Sequence, residues 1–503
     1  MKRSSGILLP VFSLPSPYGI GTLGREAYNF IDFLAAAGQK HWQMLPLGPT
    51  GFGDSPYQSF SSYAGNPYFI DLNLLIENGL MLKNEVEEIS WGDDPGRVDY
   101  EILYRYREPL LKKAFRRFFE GSQPGAGEKT TLKDDFSQFC RDNLSWLDDY
   151  ALFMALKGHF DMAPWHEWHD EDIRRYLPEA AEKYKLLLSE EIKYHRFVQY
   201  LFFSQWGRLR EYGKEHGIKF IGDLPIYVSM DSADSWTSKG KLQFDENAVP
   251  LGVSGVPPDY FSETGQLWGN PLYNWEEMRK DGYTWWMRRI AAAAGMFDCI
   301  RLDHFRGFDS YWRIPFGNDT AVEGEWLAGP GIDFISRVKE QFPNLEVIAE
   351  DLGNLTESVH KLLAESGFPG MKVLLFAFSQ GDSSEHLPPN YNSNSVVYTG
   401  THDNTTVRGW IEKEASIEEL SFAEKYFESC PKNGWNWRFI CTAMESVADL
   451  CIVQLQDYLS LPDHARINTP GTLGGNWQWR LIGGELKDEL AKKIAEMSGF
   501  YGR

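Results

Sequence analysis

Three carboxylates follow short apolar runs, and their spacing is the strongest chemical signal in the chain. Asp303 lies in Cys-Ile-Arg-Leu-Asp-His-Phe-Arg-Gly (299–307), Glu350 in Val-Ile-Ala-Glu-Asp-Leu-Gly (347–353) and Asp403 in Val-Tyr-Thr-Gly-Thr-His-Asp-Asn (397–404). The intervals, from 303 to 350 and from 350 to 403, are each about one strand–helix unit with its loops. If the runs are parallel strands of one barrel, the three carboxylates surround one mouth, where barrel enzymes keep their catalytic groups.

Such a set suits retaining cleavage of a glycosidic bond. One carboxylate attacks the anomeric carbon, and a second protonates the leaving oxygen and later deprotonates the incoming hydroxyl. Like charges held close together raise the pKa of at least one carboxyl, which keeps an acid protonated near neutral pH. A third carboxylate can bind sugar hydroxyls.

Each acid also has a structural interpretation. Asp403 with Asn404 could cap a helix starting at Thr405, and Asp303 could cap the segment that follows it. Glu350 could be a solvated residue at a strand end. Arg301 favours the catalytic interpretation, because it lies two residues before Asp303 on the same strand face and can hold that carboxylate ionised.

The elements that would position these acids are short apolar runs separated by helical stretches. Runs of this length without strict alternation are typical of strands buried on both faces. Eight strands with helical crossovers favour a (β/α)8 barrel in the α/β class, although a doubly wound sheet has the same pattern. The runs are Ile7–Phe12, Trp42–Leu47, Lys219–Val228, Phe297–Phe305, Glu346–Leu352, Met371–Phe378, Val396–Asp403 and Ile452–Leu461.

Two stretches are too long for simple connections. Residues 70–190 are mainly helical and charge-rich, and we expect a helical insertion between the second and third strands, at the carboxyl-terminal face. Residues 229–274 are rich in Gly, Pro and aromatic residues, which predicts a long active-site loop. The periodicity also predicts helices at Arg25–Ala37, Glu101–Glu120 and His195–His216 and a flexible loop at Gly121–Gly127.

Composition excludes several classes of protein. The 503 residues are 43% hydrophobic, which excludes disorder for most of the chain, and the net charge of −21 disfavours a nucleic-acid or anionic-membrane surface. No window is apolar enough to span a bilayer, and Pro10 and Pro15 interrupt the only leader-like start. Unpaired cysteine spacing is typical of a reducing compartment, so we expect a cytoplasmic protein. The cysteines are Cys140, Cys299, Cys430, Cys441 and Cys451.

The motifs around the acids resemble the signature segments of the amylomaltase family of 4-α-glucanotransferases, or disproportionating enzymes, which are retaining relatives of the α-amylases. The resemblance runs from about residue 5 to 500. Further matching segments are Asp-Ser-Pro-Tyr-Gln-Ser-Phe-Ser (54–61), Gly-Asp-Leu-Pro-Ile-Tyr-Val (222–228), Gly-Val-Pro-Pro-Asp-Tyr-Phe-Ser-Glu-Thr-Gly-Gln-Leu-Trp-Gly-Asn-Pro-Leu-Tyr (255–273), Asn-Thr-Pro-Gly-Thr (468–472) and Asn-Trp-Gln-Trp-Arg (476–480).

The resemblance implies a single catalytic (β/α)8 barrel over 1–503, without a carboxyl-terminal β-sandwich. By motif position, it implies Asp303 as nucleophile, Glu350 as general acid/base and Asp403 as transition-state stabiliser, with Arg301 and His402 contacting the sugar. Asp223 matches an acid of the third-strand segment, for which a structural role is at least as plausible as substrate contact. The family implies neither metal nor cofactor. His166-Glu167-Trp168-His169 (166–169) does not have the spacing of H-E-x-x-H and is expected to be a solvated helix end.

Sugars present apolar C–H faces and a rim of hydroxyls, so we expect aromatic platforms beside polar side chains. Trp268 is the preferred platform because Gly265 and Gly269 bracket it in a loop. The other expected glucan contacts are Tyr57, Ser59, Glu263, Gln266, Asn270 and Asn468.

The expected substrates are maltooligosaccharides and starch- or glycogen-type α-1,4-glucans, with glucose as an acceptor. The resemblance implies transfer of a glucan segment to the 4-hydroxyl of another glucan or glucose. An α-amylase-like hydrolase uses the same first half-reaction, and a non-catalytic glucan-binding protein would keep the aromatics but lose an acid. We expect neither nucleic-acid nor membrane partners, and a monomer or homodimer.

Overall fold

The computed structural model describes residues 2–51, 53–120, 126–258, 262–353, 355–379, 381–428 and 434–503. The barrel strands are β1 Ser4–Leu8, β2 His41–Gln43, β3 Lys219–Leu224, β4 Cys299–Leu302, β5 Glu346–Ala349, β6 Gly370–Val373, β7 Ser395–Tyr398 and β8 Leu450–Gln454. They form a central sheet of eight parallel strands in the order β6-β7-β8-β1-β2-β3-β4-β5. The amide of Ala349, at the end of β5, donates to the carbonyl of Pro369, just before β6, at 2.9 Å and brings the edges of the sheet together.

This arrangement is a (β/α)8 barrel, so the doubly wound alternative is excluded. Each predicted apolar run overlaps its strand but continues beyond the strand's carboxyl end. The reason is that buried apolar residues extend into the loops, as Leu9, Val11 and Phe12 do after β1. Longer helices outside the insertions are Arg25–Ala36, Ser189–Glu215, Thr284–Met296, Gly331–Gln341, Glu357–Ser366, Ile417–Tyr426, Trp435–Glu445 and Asp488–Phe500.

The carboxyl-terminal part of the chain returns to the barrel. The final helix, Asp488–Phe500, packs against Arg25–Ala36, the first helix after β1. Residues 455–503, all described, contain turns and helix and no β-sandwich. No helix in the described ranges has the length and apolar composition that crossing a bilayer requires.

The segment between β2 and β3 is mainly helical. Residues 121–125 of the predicted loop 121–127 lie outside the described residues, and 126 and 127 begin a helix. The segment 166–169, expected to be a solvated helix end, belongs to a short helical turn, Trp165–Glu167, and the residues just after it. Glu167 and His169 are exposed, but Trp168 is buried because its ring stacks on Phe160. The helices are Leu72–Glu77, Lys83–Glu87, Tyr100–Glu120, Ala126–Asp142, Leu144–His159, Glu171–Arg174 and Pro178–Leu187.

Residues 229–274 are more ordered than the predicted long loop. They contain the helix Ala233–Thr237 and two strands, Val253–Val256 and Gln266–Pro271, which pair antiparallel. Val253–Val256 also pairs with Ser310–Ile314, which in turn pairs with Glu325–Ala328. These strands were not predicted, because their glycines hide the alternation and one partner strand lies about 60 residues away in sequence.

Candidate active site

The three carboxylates lie at the carboxyl-terminal end of the barrel, on separate strand ends. Asp303 directly follows β4, and its amide donates to the Leu224 carbonyl of β3 at 3.1 Å. Glu350 directly follows β5, and its amide donates to the Leu302 carbonyl of β4 at 3.0 Å. Asp403 lies five residues beyond β7. The hydrogen bonds between neighbouring strands therefore continue one residue beyond the strands and fix the backbone positions of Asp303 and Glu350.

Arg301 organises the base of the site. It stands opposite Asp223 in the register of β3 and β4, and its Nη1 donates to both Asp223 oxygens at 2.8 and 2.7 Å. The same nitrogen donates to Asp303 Oδ1 at 2.9 Å. Arg301 and Asp223 are buried, whereas 26% of the Asp303 side chain is exposed. Asp303 is thus oriented by a buried cation while part of its carboxylate remains accessible to a ligand.

Glu350 is held by neutral donors. The amide of His304 donates to Oε2 at 2.7 Å and that of Leu352 donates to Oε1 at 2.8 Å. Burial raises the pKa of Glu350 to about 7, and the negative charge of Asp303 adds to this rise, although Arg301 and the two amides oppose it. The residue is only partly buried. A carboxyl of this kind can donate and accept a proton near neutral pH.

His304 makes the sharp turn that this arrangement requires. Its backbone is left-handed, with φ 50° and ψ 53°, an uncommon conformation for a residue other than glycine. The turn separates the side chains of Asp303 and His304 while directing the His304 amide to Glu350. Burial lowers the pKa of the His304 imidazole to about 4, so the ring is neutral at physiological pH.

Asp403 is the most open of the three acids, with 42% of its side chain exposed. Asn468 Nδ2 donates to its Oδ1 at 2.6 Å, and Arg466 donates to its backbone carbonyl at 2.7 Å. His402 Nε2 lies 3.4 Å from the other carboxylate oxygen. Asp403 is not a helix cap, because Thr406 caps the following turn through the Gly409 amide.

Tyr57 links the two halves of the site. Its hydroxyl donates to Asp223 Oδ2 at 2.8 Å and lies 2.8 Å from His402 Nε2. Because that hydroxyl proton is given to Asp223, His402 donates from Nε2 to the tyrosine oxygen. The two rings stack at 5.3 Å with an interplanar angle of 17°. This places a flat apolar surface beside the acids.

The strand Gln266–Pro271 borders the same cleft. The ring of Trp268 meets His304 edge-on at 4.8 Å, and its Nε1 donates to Gln266 Oε1 at 3.2 Å. Gln58, next to Tyr57, donates to the Trp268 carbonyl at 3.4 Å. Trp268 and Gln266 are partly exposed, so both can contact a ligand.

The other expected glucan contacts are placed differently. Asn270 is buried; its Nδ2 donates to Val228 O at 2.9 Å, and its Oδ1 accepts from Ser254 Oγ at 3.3 Å. Ser59 donates to the carbonyls of Pro49 and Ser61, both at 2.9 Å. These two side chains are therefore committed to hydrogen bonds within the protein. Glu263 is exposed on the loop.

Two features of the site were not predicted individually. Arg301 makes two hydrogen bonds to Asp223, which place Asp223 in the buried floor of the site. Only the strand register reveals this pairing. Trp477 lies 5.9 Å from the Tyr57 ring and 6.2 Å from that of His402, ring centre to ring centre. Its only sequence signal was its presence in the aromatic segment 476–480.

The two cavities described for this structure do not coincide with the three carboxylates. Two cavities, of about 420 and 300 Å³, flank Leu481 and Ile482 and include none of the three carboxylates. Within the described ranges, no group of three or more His, Cys, Asp or Glu side chains is arranged to hold a metal ion.

Comparison with known proteins agrees with this geometry. The family model described as 4-alpha-glucanotransferase matches residues 9–484. A 4-alpha-glucanotransferase of Clostridium butyricum is 47% identical over 496 residues, which cover 98% of this chain and 99% of that protein. The solved amylomaltase from Streptococcus agalactiae in complex with acarbose superposes with a TM-score of 0.95 at 42% identity, covering both chains completely.

A second solved structure shows that the fold persists at low identity. The amylomaltase from Corynebacterium glutamicum superposes with a TM-score of 0.79 at 16% identity, over 99% of this chain and 75% of that one. Together with the full-length relatives, the match over residues 9–484 establishes the family. The chain belongs to the 4-alpha-glucanotransferase family.

Proposed function

We propose that Asp303 is the nucleophile, Glu350 the general acid/base and Asp403 the transition-state stabiliser of glucan transfer in this chain. The supporting observation is the contrast between two neighbouring carboxyls. Asp303 is bonded to the buried cation Arg301, as a carboxylate that must stay ionised requires. Glu350 has neutral donors and a pKa raised by burial to about 7, as a group that exchanges a proton requires.

In the first half-reaction an oxygen of Asp303 attacks the anomeric carbon of an α-1,4-linked glucose unit. The bond from that carbon to the leaving oxygen breaks, and Glu350 gives its proton to this oxygen. In the second, the 4-hydroxyl of an acceptor passes its proton to Glu350 and its oxygen attacks the same carbon, releasing Asp303. Two inversions retain the α configuration.

Asp403, His402 and Asn468 are proposed to bind hydroxyls of the sugar at the cleavage point. Asp403 retains an exposed oxygen, and the Asn468 amide orients its carboxylate at 2.6 Å. Arg301 contributes through Asp303, since its guanidinium is buried between two carboxylates. Tyr57 offers its ring face to the same sugar.

The loop side is proposed to receive the acceptor. Trp268 and Gln266 form a platform with a polar edge next to His304, as sugar faces and hydroxyls require. Covering the glycosyl-enzyme here excludes water, which separates transfer from hydrolysis. Only part of the helical insertion 70–190 is included in this acceptor side, because its Phe153, Leu156 and Trp165 share a buried cluster with Phe60 and Trp236 of the loops that flank the site.

Maltooligosaccharides and starch- or glycogen-type glucans are the proposed donors, and shorter glucans or glucose the acceptors. The supporting observation is the family, together with the acarbose complex of the Streptococcus agalactiae relative. We place the reaction in the cytoplasm, where thiols such as buried Cys299 and Cys451 stay reduced.

The experiment that tests this proposal uses maltotriose without added cofactor. The product ladder is followed by chromatography, and total reducing ends are measured in the same samples. Transfer gives glucose and longer oligosaccharides at constant reducing ends, whereas hydrolysis increases reducing ends with product. An Asp303→Asn variant serves as control, and full activity of that variant would contradict the assignment of the nucleophile.

A further inference from the structure

A buried carboxylate joins both ends of the segment that carries His402 and Asp403. Asp457, in the short helix that follows β8, is completely buried. Thr399 Oγ1 donates to its Oδ2 at 2.5 Å, and the Val407 amide donates to its Oδ1 at 2.8 Å. Thr399 is the residue after β7 and Val407 begins the next helical turn. The seven residues between them therefore form a loop closed at its base by one side chain.

Asp457 is satisfied by neutral donors rather than by a cation. No ion pair to it occurs among the residues that the structure describes. Its own backbone is also fixed, because Asn436 Nδ2 donates to its carbonyl. A completely buried carboxylate is costly unless its oxygens are bonded, so both donors must be in place for this arrangement to persist.

Other contacts of the loop come from the same stretch of chain. Asp463 accepts from Thr405 Oγ1 at 2.8 Å, and Arg466 and Asn468 bind Asp403. These three act along the loop, whereas Asp457 fixes where it begins and ends. Without Asp457, the partners of Asp403 remain, but the base of the loop has lost its common anchor.

We propose that Asp457 is a positioning residue for glucan transfer, which holds the His402–Asp403 loop where Asp403 meets the transition state. The inference rests on the proposed role of Asp403. Asp457 acts through the loop and touches no substrate. Because small displacements of a catalytic group reduce rates steeply, its loss lowers kcat far more than it raises KM.

The chain offers a matched control in Asp71. This buried carboxylate also accepts one hydroxyl and one amide, from Thr22 Oγ1 at 2.6 Å and Leu74 N at 3.0 Å. It joins the region after β1 to the helix Leu72–Glu77, on which none of the proposed catalytic groups lies. Asp457→Ala and Asp71→Ala thus remove the same kinds of bond from two different places.

The test measures kcat and KM for maltotriose disproportionation, with thermal unfolding of each variant. Asp457→Ala is expected to lower kcat about 100-fold with KM changed by less than about 3-fold. Asp71→Ala is expected to keep kcat within about 2-fold at a similar loss of Tm. Asp457→Asn should recover most of kcat, because its oxygen can accept from Val407 N while its NH₂ donates to the Thr399 hydroxyl.

Equal kcat for the Asp457→Ala and Asp71→Ala variants would overturn the proposal, as would an Asn variant that folds but is no better than Ala. If Asp457→Ala does not fold, Thr399→Val removes one bond at nearly constant volume and should lower kcat by about 5- to 10-fold. A double variant with Asp403→Asn provides a second readout, because residues acting through one loop give non-additive losses. Inactive wild-type protein would contradict the proposed function itself, separately from this inference.

Discussion

The strand ends and the loop strand Gln266–Pro271 border one cleft but are held in different ways. At the strand ends, Arg301 binds two carboxylates from neighbouring strands, and Glu350 is fixed by two amides. The loop side depends on weaker contacts, such as the 3.4 Å bond from Gln58 to Trp268 and the edge-on contact of Trp268 with His304. In the proposed mechanism, bond breaking is therefore placed on the barrel strands, and acceptor binding on a strand of the small antiparallel sheet.

The two sides also differ in what they share with other enzymes. Formation of a glycosyl-enzyme requires the same pair of carboxyls in a hydrolase and in a transferase. The partner that attacks next, water or a sugar hydroxyl, depends on what covers the cleft. Substitutions at the strand ends should therefore abolish both reactions, whereas substitutions in the loop should change the ratio between them.

The largest effect is expected from Asp303→Asn. Removal of a catalytic nucleophile costs on the order of 10⁴- to 10⁶-fold in kcat, and both transfer and hydrolysis should be lost together. The fold should survive, because the asparagine oxygen can still accept from Arg301. Disproportionation of maltotriose and thermal unfolding measure the two properties. A variant with more than a tenth of wild-type turnover would remove Asp303 from the mechanism.

Glu350→Gln should lower kcat with maltotriose by about 10²- to 10⁴-fold, which is the usual contribution of a general acid. The donor α-maltosyl fluoride distinguishes the two acids, because fluoride leaves without a proton. With this donor, formation of the glycosyl-enzyme should give a rapid initial release, or burst, of fluoride. We expect this burst in the Glu350→Gln variant but not in the Asp303→Asn variant. Loss of the burst in both would mean that Glu350 does more than donate a proton.

The pH dependence of the wild-type enzyme tests the same assignment. Glu350 is active in the first step when protonated, so kcat/KM for maltotriose should fall about tenfold per pH unit above its pKa of about 7. The fluoride donor should not show this fall. A profile that stays flat to pH 9 with maltotriose would contradict the acid role.

The strand-end side could be predicted from sequence much further than the loop side. Strands buried on both faces leave an unbroken apolar run, and an acid directly after such a run must lie at the carboxyl edge; Asp303 and Glu350 are both found there. The barrel itself followed from the number of runs and the family motifs, because periodicity alone left the doubly wound sheet open.

The loop side escaped prediction because its contacts join residues far apart in sequence. Asn270 has the right chemistry for a sugar contact, yet its amide bonds to Gln58, Val228 and Ser254. The strand Val253–Val256 contains Gly255, where any Cβ would lie 2.2 Å from the Gln266 carbonyl oxygen. Close approach of two backbones explains this glycine, but one sequence does not show which backbone approaches.

Trp268→Ala should have a smaller effect than either acid substitution and a different character. Loss of a central aromatic contact costs about 2 kcal/mol of binding free energy, which corresponds to a factor of about 30. We expect this loss to reduce the rate of transfer. Reducing ends should rise relative to transfer products as water gains access. Trp326→Ala is the matched control, since Trp326 is 41% exposed on a strand of the same small sheet. An equal change in both variants would assign the effect to the sheet instead of the Trp268 platform.

The smallest effect is expected from Glu263→Gln. Glu263 shares the loop with Trp268 but is exposed, and a solvated side chain that gains one hydrogen bond on binding contributes about 0.5–1.5 kcal/mol. KM for maltotriose should therefore rise by no more than about 10-fold at constant kcat, the signature of a contact made equally in the ground and transition states. A fall in kcat instead would mean that this part of the loop closes over the acids during the reaction. The loop would then belong with the strand ends as part of the catalytic machinery.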